Sequence, residues 1–133
     1  MITAIDTSVL LDVLLGDPTF GAASVAALRA AIQSGRVVAC EVVWAEVSAV
    51  FTSSNAVKPA FGALSVEFDS MDVASGIVAG NSWKQYRLAG GKRSRMIADF
   101  LIGAHALHQA DRLLTRDRGF YRTYFKSLRL VTP

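Results

Sequence analysis

A chain of 133 residues is most simply one domain, 1–133, long enough to bury about two thirds of its unfolded surface in a single core. Its 52% apolar and 19% charged residues exclude the disordered class and leave apolar surface that a partner can cover. The formal charge of +3 suits a polyanion, but its placement matters more than its size.

No stretch reaches the roughly 18 uninterrupted apolar residues of a membrane span. The start of the sequence lacks a basic n-region and carries Asp6 inside its first apolar run, which argues against a signal peptide. A cytoplasmic location without membrane contact is therefore expected. The single cysteine, Cys40, cannot form an internal disulfide and sits in an apolar run, so it reads as a core thiol rather than a nucleophile.

In chain order, Met1–Ile5 is a short apolar strand that ends on Asp6. Val9, Leu10, Val13 and Leu14 then have helical spacing, and Gly16 stops them. Asp17-Pro18 is read as the N-cap and first position of a second helix running through Ala22–Gln33. Arg36–Cys40 is a second strand, followed by a helix from Glu41 to Thr52 and a shorter one from Pro59 toward Leu64. Val66–Ser70 is read as a third strand. Asp72 caps a long helix that ends at Ala89-Gly90-Gly91. Lys92-Arg93-Ser94-Arg95 is a basic turn, Met96–Gln109 a strongly periodic helix, and Arg112–Thr115 a fourth strand. Arg116–Tyr124 is a loop with room for one helical turn, and Leu128–Val131 a fifth strand. Short apolar strands alternating with helices predict an α/β sandwich, a parallel sheet covered on both faces.

Four of the eleven acidic residues occupy places that packing does not explain. Asp6 ends the first strand, Glu46 interrupts an apolar helix, Asp99 lies one turn into its helix, and Asp117 follows the fourth strand. A parallel sheet gathers its strand ends and the following helix starts at one edge, where ligands bind. That edge can unite Asp6, Asp99 and Asp117, with Glu46 reaching in. Clustered carboxylates repel, and a hard divalent cation such as Mg²⁺ or Mn²⁺ is the usual remedy in phosphate-ester chemistry. Each acid also has a plainer role open to it. Asp6 can cap a helix, Glu46 can pair with a cation, Asp99 can complement a helix dipole, and Asp117 can shape a turn before Gly119.

The opening Asp6-Thr7-Ser8-Val9-Leu10-Leu11-Asp12, the embedded Glu46, the Asp99 helix and Leu114-Thr115-Arg116-Asp117-Arg118-Gly119-Phe120 together resemble a PIN-domain ribonuclease. More narrowly they are similar to the VapC-type toxins of toxin–antitoxin pairs. The resemblance implies a PIN-like three-layer sandwich around a five-stranded parallel sheet of order 3-2-1-4-5. It implies an Mg²⁺- or Mn²⁺-dependent endoribonuclease whose metal-binding and catalytic acids match Asp6, Glu46, Asp99 and Asp117. Ser8 and Thr115 match nearby polar positions that orient the acids or bound water. The resemblance further implies cleavage that leaves a 3′-hydroxyl and a 5′-phosphate on a structured RNA, tRNA or rRNA rather than mRNA. A cognate antitoxin covering the pocket, and a homodimer, are also implied. Trp44-Ala45 departs from the small or polar residue that often precedes the family's helical glutamate.

Lys92, Arg93, Arg95, Arg116 and Arg118 flank the acid-bearing segments and are candidate RNA contacts, or else a solvated basic surface. Phe120, Tyr121 and Tyr124 are expected to pack their loop onto the core rather than stack bases. His105 and His108 are read as structural, and Asp12 as a surface residue or ion-pair partner. The competing reading is a PIN-like nucleic-acid-binding or scaffold module that keeps the acids and turns over negligibly.

Overall fold

Ile2–Ile5 forms β1, and its last three residues are at most 3% exposed, so both faces of this strand are covered. Such burial belongs to a central strand of a parallel sheet. The computed structural model describes residues 1–92 and 97–133. β1 is flanked by β2 (Arg36–Ala39) and β4 (Arg112–Leu114), with β3 (Val66–Phe68) and β5 (Leu130–Val131) outermost. The order is therefore 3-2-1-4-5, and every pairing is parallel. Ala4 stands opposite both Val38 and Leu113, and these register points form the apolar middle of the sheet. The expected architecture and strand order are both present.

The helices are α1 (Thr7–Leu14), α2 (Gly21–Ser34), α3 (Glu41–Ser48), α4 (Val57–Ala63), α5 (Val73–Leu88), α6 (Ile97–Gln109) and α7 (Phe120–Tyr124). A 3₁₀ turn, Ser54–Ala56, leads into α4. Pro59 is the third residue of α4, where its missing N–H removes no intrahelical bond. The Asp72 carboxylate accepts from the Ser75 N–H at 2.8 Å and so caps α5, as its sequence predicts. Among the described residues no helix is long and apolar enough to cross a membrane.

Several boundaries differ from expectation. α2 begins at Gly21 rather than Pro18, because the Asp17 carboxylate takes the Thr19 and Phe20 N–H groups at 3.0 and 2.7 Å and closes a separate turn. α3 stops at Ser48 rather than Thr52, where the chain tightens into three-residue bonds from Val50 to Val47 and from Phe51 to Ser48. Strands three to five are shorter than read, although the Asp69 N–H still donates to the Ala39 carbonyl and the Thr115 N–H to the Val131 carbonyl just beyond their ends.

Two glycines are set by close approach. Gly35 joins α2 to β2 at φ 146°, and a Cβ there would stand 2.1 Å from the Met1 carbonyl oxygen. A Cβ on Gly103 would stand 2.5 Å from the Phe125 ring, so α6 lies directly against that residue.

Val9, Leu10, Phe100, Leu113 and Leu114 have no measurable exposure and unite the helices with the sheet. Each such side chain contributes roughly 1.5–3 kcal/mol by leaving water. Trp44 stacks on Phe61 with centroids 3.7 Å apart, which fastens α3 to α4. Phe120, Tyr121 and Tyr124 pack with Phe100, Tyr86 and Phe125, so α7 is bound down by aromatic contacts as expected. His105 is buried with Nε2 2.8 Å from Asp69 Oδ2, a structural role. Cys40 is buried as well, and burial pushes its thiol pKa up and away from nucleophilic use.

Candidate functional site

β1 delivers Asp6 to the edge of the sheet. The Asp6 N–H donates to the Leu114 carbonyl at 2.9 Å, which continues the β1–β4 ladder one residue past the strand and fixes the backbone. Its carboxylate then serves two masters. Oδ1 accepts the Thr7 N–H at 2.8 Å and so caps α1. Oδ2 accepts the Thr115 hydroxyl at 2.7 Å and, more weakly, the Tyr121 hydroxyl at 3.4 Å. The helix-cap and pocket roles are thus held by one group.

β4 ends at Leu114, which places Thr115 beside Asp6 and fully buried. Thr115 Oγ1 also accepts the Asp117 N–H at 3.0 Å, so one hydroxyl ties two of the acids together. Asp117 Oδ1 accepts from the Gly119 and Phe120 N–H groups at 2.9 and 2.8 Å, which starts α7 and fixes the carboxylate. On the other flank, α3 presents an exposed Glu46 whose Oε1 accepts the Thr7 hydroxyl at 2.7 Å. Asp99 lies in the first turn of α6.

These groups face one another. Asp6, Thr7, Ser8, Glu46, Asp99, Arg116 and Asp117 line a single pocket of about 350 Å³. All four sequence-predicted acids are there, as is Ser8. Burial is the main reason that the Asp6 pKa is pushed up to about 6, with Asp99 and Glu46 raising it and the hydrogen bonds from Thr115 and Thr7 opposing the rise. Tyr121 is also shifted upward, first by burial and then by the charges of Asp6, Asp99 and Asp117, so it stays a neutral donor.

The arrangement suits a hydrated hard cation. Among the described residues no three His, Cys, Asp or Glu side chains form a ready-made metal cage. Mg²⁺, however, keeps several waters and needs only one or two direct carboxylates. Ser8 Oγ is buried and has no hydrogen-bond partner among the described residues, although it lines the pocket. A buried unsatisfied hydroxyl costs about 1–3 kcal/mol, which an ordered water or hydrated ion would relieve. Oxygen donors, crowded negative charge and an unpartnered hydroxyl fit such a group.

The predicted basic residues divide. Arg116 borders the pocket, but its guanidinium is committed to Asp12, with Nε to Oδ2 at 2.7 Å and Nη2 to Oδ1 at 3.1 Å. Arg118 is exposed and is not among the residues that line this pocket, and Lys92 is exposed with its carbonyl accepting the Tyr86 hydroxyl at 2.7 Å. Arg93 and Arg95 lie outside the described residues. Asp12 is an ion-pair partner, as one of its two expected roles required, and it is buried at 3% exposure rather than superficial.

The family follows from the whole length of the chain. A model of the PIN domain matches residues 3–126. The chain belongs to the PIN-domain family. No curated protein matches its sequence. Solved structures with the same fold include VapBC2 from Rickettsia felis bound to a DNA fragment from its promoter, with 15% identity and a TM-score of 0.75 over 99% of this PIN domain and 98% of that chain. VapBC-1 from nontypeable Haemophilus influenzae has 16% identity and a TM-score of 0.73, with coverages of 99% and 98%. A toxin–antitoxin complex from Klebsiella pneumoniae has 19% identity and a TM-score of 0.61, with coverages of 98% and 97%. At these identities the likeness is one of fold.

Sequence reasoning missed one residue of this PIN-domain site. Thr7 bridges Asp6 and Glu46 through its N–H and hydroxyl. Its signal was its place: the first residue after a strand-end aspartate has its N–H at the start of the following helix.

Proposed function

We propose that this PIN domain, residues 1–133, is a metal-dependent endoribonuclease and the toxin of a VapC-type pair. The observation that carries the reading is the convergence of Asp6, Glu46, Asp99 and Asp117 on one pocket beside the unpartnered Ser8 hydroxyl. Asp6, Asp99 and Asp117 would hold Mg²⁺ or Mn²⁺, and Glu46 would hold a second ion or position the attacking water. When bound, such an ion would lower the pKa of a coordinated water and offset charge on the leaving oxygen. Thr115 holds Asp6 and the Asp117 backbone in one geometry, while Thr7 does the same for Asp6 and Glu46. Water adds to phosphorus as the P–O3′ bond breaks, which leaves a 3′-hydroxyl and a 5′-phosphate.

The substrate class is structured RNA, tRNA or rRNA, with Lys92, Arg93, Arg95 and Arg118 as phosphate contacts. Solved VapBC proteins and a toxin–antitoxin complex share this fold, which supports a cognate antitoxin; a homodimer and a cytoplasmic location belong to the same proposal. Incubation with bulk tRNA and rRNA plus Mg²⁺ or Mn²⁺, followed by mapping of the new RNA ends, tests the reading. Wild type should cut, and Asp6→Asn and Asp99→Asn should not. The alternative is a PIN-like nucleic-acid-binding or scaffold module that keeps the acids with negligible turnover. A wild type that cuts neither RNA with either ion, or variants that cut equally well, would establish that alternative.

A further inference from the structure

Arg116 walls two pockets. One is the acidic pocket; the other is a separate hollow of about 150 Å³ lined by Phe20, Ala23, Arg116, Arg118, Thr132 and Pro133. Resting on the nuclease reading above, we propose that this second hollow is a nucleotide subsite. It would receive the RNA residue next to the scissile phosphate, with its base against Phe20 and its phosphate at Arg118.

The chemistry of the lining favours RNA. Among the described residues no Asp or Glu side chain lines this hollow, whereas four line its neighbour. An acidic pocket repels a polyanion, so adjacent phosphates need cations immediately beside it. Arg118 is exposed and makes no ion pair among the described residues, so its guanidinium is available to a phosphate. Phe20 is 43% exposed, and the Arg116 guanidinium lies 4.1 Å from its centroid. An aromatic ring backed by arginine is a stacking platform for a base. The volume is that of cavities which hold one benzene-sized ring. The buried Asp12 fixes Arg116 from behind, so the ridge between the two pockets is rigid.

Two surface substitutions test this without disturbing the core. Fluorescein-labelled bulk tRNA is titrated into Asp6→Asn protein, which is expected to bind without cutting, and into the same protein carrying Phe20→Ala or Arg118→Ala. Each added change is expected to weaken binding about tenfold, the scale of one lost stacking or phosphate contact. Phe20→Tyr should keep the affinity, because its ring still stacks. Arg118→Ala should also lower the slope of log affinity against log salt by about one. Unchanged affinity in both alanine variants overturns the subsite. So does unchanged RNA affinity together with lost binding of a co-expressed partner protein, which would make the hollow a protein-docking face. A parallel cleavage assay on wild type with Mn²⁺ separates the two ideas. Cutting with unaffected variants removes the subsite and leaves the nuclease; neither cutting nor binding removes both. If wild type cuts but binds too weakly to titrate, KM for the same tRNA replaces the affinity.

Discussion

The Thr115 hydroxyl donates to Asp6 Oδ2 at 2.7 Å, joining the ends of two adjacent strands 109 residues apart in sequence. Both residues are buried, so this bond works in a low dielectric and holds the Asp6 pKa below where burial alone would put it. Thr115→Val removes the donor while keeping the shape. Asp6 should then titrate higher, and if its ionised form supports cleavage, the acidic limb of the pH–rate profile should move toward alkaline pH by up to about one unit. Thr115→Ser should restore the wild-type profile. An unmoved limb in Thr115→Val would show that the hydroxyl does not tune Asp6.

The raised pKa of Asp6 also has a sign in stability. A carboxyl pushed from 3.8 up to about 6 holds its proton more tightly in the folded chain than in the unfolded one. Its contribution is therefore neutral or favourable below about pH 4, is lost as the pH rises toward 6, and leaves a desolvated charge above that. A shift of about two units corresponds to roughly 3 kcal/mol. Without divalent ions, Asp6→Asn should accordingly be more stable than wild type near neutral pH, by up to about that amount, and the gap should close near pH 4. Urea unfolding at the two pH values measures it. Added Mn²⁺ should stabilise wild type by mass action and leave Asp6→Asn nearly unmoved. Equal stabilities at neutral pH, with no wild-type response to Mn²⁺, would remove Asp6 from the centre of the pocket.

The parallel sheet and the meeting of the acids were legible because they depend on periodicity and on the common edge of such a sheet, whereas the strand order came only with the family resemblance. Asp6, Asp99 and Asp117 all sit where a strand ends or a helix begins, and such places converge whatever the details of packing. Helix boundaries were less legible, since competing local bonds decided them. The Asp17 carboxylate could serve a helix or a turn, and only its reach to Thr19 and Phe20 shows which. The Asp12–Arg116 pair spans 104 residues, so no local pattern announces it. Its consequence for function is that a predicted RNA contact instead spends its hydrogen bonds inside the protein.

Thr7 links the glutamate of α3 to the start of α1 through its 2.7 Å hydrogen bond to Glu46. Glu46 is exposed, so without that bond its long side chain has rotamers that point away from the pocket. Thr7→Val is expected to lower kcat/KM about fivefold, corresponding to roughly 1 kcal/mol of lost positioning, with little change in thermal stability. Thr7→Ser should retain activity, because the hydroxyl and the N–H both remain. Loss of activity in Thr7→Ser as well, or none in Thr7→Val, would separate Thr7 from the orientation of Glu46.

Asp12 is a nearly inaccessible carboxylate whose oxygens are satisfied by two arms of Arg116 and by the Ser24 hydroxyl at 2.7 Å. It ties α1 and α2 to the segment that carries Asp117. Removing one member of a buried pair strands the other's charge, at a cost of about 3–5 kcal/mol, whereas neutralising both at once avoids that penalty. Arg116→Gln should therefore be markedly destabilised, and Asp12→Asn/Arg116→Gln should recover much of the loss. Urea unfolding of the two singles and the double closes the cycle, and a coupling above about 1 kcal/mol is expected. Arg116→Lys should fall in between, since an ammonium cannot make the paired contacts of the planar guanidinium. Additive single effects would mean that the two residues do not act as a unit, and the ridge between the acidic pocket and the Phe20 hollow would then have no rigid anchor.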